Sequence, residues 1–326
     1  MNIMVDIFAE LGQRLENFGN DPRSARCIAE AVEANGWFTE DDIRMAVDAI
    51  RREFLDRDKI EAWLGHYRIP AERRRVAIIM AGNIPLVGFF DLMCVIACGY
   101  EAAVKASSKD FVTIGYIIDL LREIHPDIVI TPYDDTTACD MAIATGGDMA
   151  AAYFRTRYVS IPALIRGSRH SIAVLDGSET PQMIDGLQRD IFSYGGLGCR
   201  NISFLLLPRG ASLPLHPSQT GNTSRRNNYM RTKALLEMTG VTYVDLGSCV
   251  AVESCGFPET ACRVNYTFYD NPAEAAAWIA EHDTEIQCIA SHAVAHARRC
   301  DFGRTQYPSL TDYPDGVDVM EFLTQR

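Results

Sequence analysis

Lysine is almost missing from this sequence. It occurs only at Lys59, Lys105, Lys109 and Lys233, and arginine supplies the rest of the 31 basic side chains. Against 43 acidic residues the formal net charge is −12, a balance that argues against the basic face a nucleic-acid binder needs while leaving room for a local patch, so no nucleic-acid partner is expected. Long apolar runs are also missing. The stretch from Val87 to Tyr100 is interrupted by Asp91 and falls short of the roughly 18 residues of a membrane span. The N-terminus, Met1 to Asp6, has no basic flank leading into an apolar segment, so no secretory signal is read and a cytoplasmic location is expected. The ten cysteines include no CxxC pair, and without an export signal they read as reduced thiols rather than a disulfide framework. No internal repeat, no low-complexity tract and no GxGxxG fingerprint is present.

What remains is a globular composition: 326 residues, 48% apolar and 23% charged, enough for about two domains. Residues from Ile3 to Trp63 carry apolar positions at helical spacing, with Thr39 placed to cap an acidic first turn. From Arg75 the texture changes. Val76 to Met80 is wholly apolar, as in a strand buried on both faces of a parallel sheet. Helices are expected near 87–98 and 110–124, and strands near 102–105, 127–130, 141–144 and 171–175. The second half is expected to place helices near 181–194, 226–239 and 273–281, with strands near 202–207, 241–246, 263–269 and 285–290. Alternation of this kind indicates βαβ units in a doubly wound α/β sheet, with ligands beyond the carboxyl ends of the strands. Three regions follow: helices over 1–74 packed on a nucleotide-binding domain over 75–175, then an α/β domain carrying a cysteine over 176–326.

Four segments hold residues suited to chemistry. In Ala81-Gly82-Asn83-Ile84-Pro85 the glycine permits close backbone approach and the Asn83 amide can donate to an oxyanion, although turn chemistry alone explains such a segment. Val104-Lys105-Ala106-Ser107-Ser108-Lys109 puts a scarce cation and two hydroxyls at a strand end, suited to phosphate or ribose. Thr145-Gly146-Gly147 precedes a helix, whose N-terminal amides form an anion site. Cys199 stands among Gly195, Gly196 and Gly198 and is followed by Arg200-Asn201, the one cysteine in a glycine-rich turn with a neighbouring cation. The residues therefore read as a nucleotide-binding α/β enzyme with a cysteine nucleophile.

Taken in order, Ala81 to Phe89, Lys105 to Asp110, Gly196 to Asn201 and Tyr307 to Asp318 resemble the aldehyde dehydrogenase superfamily. Within it the chain is more similar to the bioluminescence-type (LuxC-like) acyl-CoA reductases. The resemblance covers Arg75 to the C-terminus. It implies Cys199 as the thiol that receives the acyl group and Asn83 as the oxyanion donor beside the Cys199 N–H. It implies Lys105, with Ser107 and Ser108, at the adenosine ribose, and Thr145, Gly146 and Gly147 beside the cofactor pyrophosphate. Two departures matter. Hydrolytic relatives carry a water-activating glutamate where this chain has Arg166-Gly167-Ser168-Arg169-His170-Ser171, and many NAD-preferring relatives carry a glutamate where Ser108 stands.

The resemblance thus implies an acyl-CoA (fatty acyl) reductase that uses NADPH, with NADH as the lesser cofactor. Its substrate would be an acyl-CoA or acyl carrier protein thioester, converted to aldehyde through a cysteine thioester; a homo-oligomer remains open. The alternatives are an oxidising aldehyde dehydrogenase and a noncatalytic acyl-binding or partner subunit. His292 and His296 are four apart, a spacing that holds a metal on a helix face, yet no further ligand set accompanies them and no metal is expected. Arg225-Arg226 and Arg73-Arg74-Arg75 are basic clusters, suited to the phosphates of coenzyme A but read first as solvated surface.

Overall fold

A computed structural model of the protein describes residues 3–325. Met1 and Asn2, where the reading for an export signal begins, and Arg326, the expected end of the last domain, lie outside the described residues. The chain divides into two compact units, one comprising residues up to Ser168 together with Ser309 onward, the other Arg169–Pro308.

The first unit opens with four helices, α1 (Ile3–Arg14), α2 (Pro22–Ala34), α3 (Glu40–Glu53) and α4 (Arg57–Leu64). Their starts are set by caps. Asp21 accepts from the Arg23 and Ser24 N–H groups ahead of α2, and Thr39 and Asp42 form a reciprocal capping box on α3. Next come β1 (Arg75–Ile79), α5 (Phe89–Ala97), β2 (Glu101–Lys105), α6 (Phe111–Ile124), β3 (Ile130–Pro132), β4 (Met141–Thr145), α7 (Asp148–Arg157) and β5 (Ala163–Arg166). The five strands are all parallel, in the order β3-β2-β1-β4-β5. Val76 and Ile78 face one core, shared with α1 to α6, while Ala77 and Ile79 face a second, smaller one with Phe154 and Tyr158 of the α7 segment. Burial on both faces is why β1 reads as an unbroken apolar run.

The second unit contains β6 (His170–Val174), α8 (Pro181–Phe192), β7 (Ile202–Pro208), α9 (Thr223–Thr239), β8 (Val244–Asp245), β9 (Val250–Glu253), β10 (Arg263–Tyr269), α10 (Pro272–Glu281), β11 (Ile286–Ala290) and β12 (Arg299–Cys300). Its sheet runs β12-β11-β6-β7-β10-β9-β8, with only β8 antiparallel to its neighbour. The chain then returns to the first unit. There α11 (Val319–Thr324) buries Val319, Met320 and Leu323, and the Tyr100 hydroxyl donates to the Leu323 carbonyl at 3.2 Å.

The division therefore falls at 168/169 and 308/309, whereas the sequence places it at 175/176 and runs the last domain to 326. The reason is pairing: β6 hydrogen-bonds to β7 and β11, not to the first sheet. The third strand lies at Ile130–Pro132 rather than 127–130, and β5, β9 and β12 are additions to the sequence reading. His292 and His296 follow β11 in irregular chain rather than on a helix, and their Nε2 atoms meet different partners, Ser178 at 3.0 Å and Asp283 at 3.1 Å. Among the described residues no helix is long and apolar enough to cross a membrane.

Candidate active site

In the first sheet the strand order reverses between β1 and β4, and such a switch point opens a crevice at the carboxyl ends of the strands. Ile79 pairs with both Lys105 and Ala144, so the chain leaves β1, β2 and β4 at one edge. Asn83, Lys105, Ser107, Ser108, Thr145, Gly146 and Gly147 all belong to that edge. These residues, spread over more than 60 positions of sequence, follow strands that end at that edge.

Two of these segments interlock. A Cβ on Gly82 would lie 2.4 Å from the Ser107 Oγ, so only glycine allows the loops after β1 and β2 to approach this closely. The Leu86 N–H donates to Asp110 Oδ2 at 2.8 Å, and the Thr113 hydroxyl donates to its other oxygen. Leu86 holds a left-handed backbone with φ 59°, which that hydrogen bond pins. Asp110 is 3% exposed, and burial pushes its carboxyl up to about 7. Asp110 is a positioning residue for the Asn83 turn. Sequence reasoning passed over it because only the folded contacts show an acid inside.

The donors at this edge are open to a ligand. Lys105 and Ser108 are exposed. Gly147 caps α7 without any side-chain hydrogen bond, and a Cβ placed there would meet nothing within 4 Å. An uncapped helix N-terminus beside a cation and hydroxyls suits a phosphate-bearing nucleotide. The segment expected to lack a catalytic acid is built structurally: Arg166 ends β5 and pairs with Asp91 of α5 at 2.6 Å, both side chains nearly inaccessible. Asp148 meets the same segment, its Oδ1 accepting from the Ser168 N–H at 2.9 Å.

In the second unit, Tyr194, Gly195 and Gly196 have φ of 53°, 65° and 74°, a left-handed run that turns the chain sharply before β7. Cys199 follows, an exposed thiol that forms no disulfide. Buried Asn201 clamps the turn. Its Oδ1 accepts from the Gly198 N–H at 2.8 Å, and its Nδ2 donates to the carbonyls of Asp190 at 3.0 Å and Ser193 at 2.8 Å. The Ser171 hydroxyl donates to the Cys199 carbonyl at 2.8 Å. Asn201 appeared in the sequence only as the end of a motif, and Ser171 as the end of an unrelated segment.

None of the ten cysteines forms a disulfide, and only Cys255 shares the exposure of Cys199. Burial pushes the thiols of Cys27 and Cys98 up to about 12 and raises those of Cys94, Cys139, Cys249 and Cys262. Asp176, Glu179 and His292 bring ligand-type atoms within 4.8 Å of one another. Those carboxylates already accept from the Asp176, Gly177 and Ser178 N–H groups of their own turn.

Solved structures share this arrangement of strands and helices. An assigned aldehyde dehydrogenase of Burkholderia cenocepacia matches 90% of this chain over 75% of its own, at 12% identity and TM-score 0.68. Aldehyde dehydrogenase 21 of Physcomitrella patens matches 88% over 72%, at 14% identity and TM-score 0.64. A Mycobacterium tuberculosis aldehyde dehydrogenase, solved with NAD+, matches 89% over 72%, at 13% identity and TM-score 0.62. The fold is that of the aldehyde dehydrogenases. No family model matches the sequence, and no curated protein matches it. The first unit thus carries an open strand edge with Lys105, Ser108 and the start of α7, and the second an exposed thiol on a glycine turn.

Proposed function

We propose that the protein is an acyl-thioester reductase that takes an acyl group from coenzyme A or an acyl carrier protein onto Cys199 and releases it as an aldehyde, with NADPH as reductant. The observation that carries this reading is the exposed Cys199 on a turn clamped by Asn201 and Ser171, in a chain with the aldehyde dehydrogenase fold. The Cys199 sulfur attacks the thioester carbonyl. The donor thiol leaves with the proton Cys199 gives up, and an enzyme-bound thioester remains. The resemblance assigns the Cys199 N–H and the Asn83 amide as the donors to the carbonyl oxygen as it gains charge. Lys105, Ser107 and Ser108 hold the adenosine end of the cofactor, and the start of α7 at Thr145-Gly146-Gly147 holds its pyrophosphate. A nicotinamide bound there would supply the hydride to the acyl carbon; the C–S bond to Cys199 then breaks to release the aldehyde, and the sulfur regains a proton from solvent.

Residues 166–171 carry no carboxylate of their own, so this segment offers the acyl-enzyme no base to activate water. That favours thiol exchange and reduction over the competing reading, oxidation of aldehyde to acid. With a serine at 108, Lys105 has no acidic neighbour there to repel the 2′-phosphate of NADPH.

The test is NADPH consumption with acyl-CoAs of several lengths, repeated with NADH and in the reverse direction. Thioester-dependent oxidation of NADPH is expected. Lys105→Ala should weaken NADPH more than NADH, and Ser108→Glu should turn the preference toward NADH. Fast formation of acid from aldehyde and NADP+ without added thiol contradicts the reading.

A further inference from the structure

Asp190 lies in the last turn of α8 and is only 2% exposed. A buried carboxylate is costly unless donors satisfy it, and this one meets three. Its Oδ2 accepts from the Gly303 N–H at 2.6 Å, and its Oδ1 accepts from the Thr305 N–H at 3.2 Å and the Thr305 hydroxyl at 2.8 Å. All three partners are donors, so the site calls for an acceptor on both oxygens, which the ionised carboxyl supplies. The main-chain carbonyl of the same residue accepts from Asn201 Nδ2 at 3.0 Å, and Asn201 Oδ1 holds the Gly198 N–H just ahead of Cys199. One residue thus ties two segments, the Cys199 turn through its carbonyl and residues 303–305 through its carboxylate.

The backbone is shaped for this contact. A Cβ on Gly186, one helical turn before Asp190, would lie 2.9 Å from the Phe302 carbonyl carbon and 3.0 Å from the Gly303 nitrogen. Only glycine there lets 302–303 rest directly on α8, and Gly303 itself takes a left-handed φ of 81°. Thr305 is wholly buried beyond it.

We infer that Asp190 is a positioning residue for attack by Cys199: while ionised it holds the Cys199 turn and residues 303–305 as one piece, and the thiol is presented for attack only while both are held. This inference rests on the reading of Cys199 as the nucleophile. Burial pushes the Asp190 carboxyl up to about 6, against the Gly303 and Thr305 hydrogen bonds and the Arg189 charge, which lower it. The other titratable groups beside it are the thiols of Cys288 on β11 and Cys300 on β12, on which the Arg200 charge also acts. Below about pH 6 a proton on the carboxyl sets an O–H against those donors and the grip loosens.

The experiment uses the full chain and needs no turnover. Iodoacetamide alkylation is followed by peptide mass analysis at Cys199 and at Cys255, the other exposed thiol, which serves as an internal control. Well below a thiol's own ionisation its rate falls about tenfold per pH unit, so the ratio of the two rates is flat unless a further group intervenes. In the wild type the Cys199-to-Cys255 ratio should fall about tenfold from pH 7 to pH 5, with a midpoint near 6. In Asp190→Asn, which cannot ionise, the ratio should be flat across that range and lower at pH 7 by about threefold or more, as a weakened buried hydrogen-bond set implies. Thr305→Val removes a contact that lowers the carboxyl, so its step should move to higher pH. A flat wild-type ratio overturns the inference and needs no variant to fold. A step that persists unchanged in Asp190→Asn also overturns it and assigns the ionisation to the Cys288 thiol. An Asp190-dependent step without any acyl adduct on Cys199 from acyl-CoA keeps the positioning role and removes the acyl-transfer reading. Thioester reduction with a flat ratio keeps that reading and removes Asp190.

Discussion

Asn83, in the loop after β1, and Asp110, at the start of α6, show how differently two polar residues are written in a sequence. Asn83 stands in a Gly and Pro setting that is visible locally, and its role can be measured. Removing an oxyanion donor costs about 10²–10³-fold in turnover. Asn83→Ala should therefore lower kcat by that factor with NADPH affinity unchanged, and a loss below about fivefold removes Asn83 from the oxyanion site. Asp110 looks like a solvated acid in the sequence, and only its contacts with Leu86 and Thr113 show it inside. Its folded carboxyl titrates near 7 and an unfolded one near 3.9, so the native state binds the proton more tightly. The stability that this proton contributes is present at low pH and is lost as pH rises through about 7. Asp110→Asn removes that loss. Relative to wild type it should be neutral to slightly destabilising near pH 5 and stabilising near pH 8, by on the order of 2–4 kcal/mol. Thermal melts across that range test it, and a difference independent of pH contradicts it.

Helices and buried strands were legible where the pattern is local. The Thr39 cap, the apolar run at β1 and the strand at β7 follow from spacing and capping alone. Short strands were not. β5 has four residues of which only Arg166 is fully buried, so it carries no strand periodicity, and β12 has two. What fixes β5 against α5 is the Arg166 to Asp91 pair, with both side chains under one-tenth exposed. Taking away one partner of such a pair strands the other charge, which costs about 3–5 kcal/mol. Asp91→Ala should lose that much in denaturant unfolding, with an unchanged slope. Replacement of both residues by apolar ones of similar volume should recover most of it. A single-variant loss below about 1 kcal/mol means the pair is screened and contributes as a surface pair does.

For the whole molecule, alternation of strands and helices gave the α/β class, while the boundaries depended on strand pairing that no local pattern encodes. β6 follows the first sheet in sequence yet pairs in the second, and the C-terminal residues return to the first unit through α11. The candidate residues for chemistry stand out in the sequence because each lies at a strand end or in a glycine turn; the side chains that brace those turns do not, since Asn201, Ser171 and Asp110 act through contacts made only on folding. The central claim is that Cys199 accepts the acyl group. Intact-mass analysis after exposure to an acyl-CoA without cofactor tests it most directly. One acyl adduct is expected, mapping to Cys199, absent in Cys199→Ala and retained in Cys255→Ala, the other exposed thiol. An adduct on a different cysteine, or thioester reduction that persists in Cys199→Ala, contradicts it.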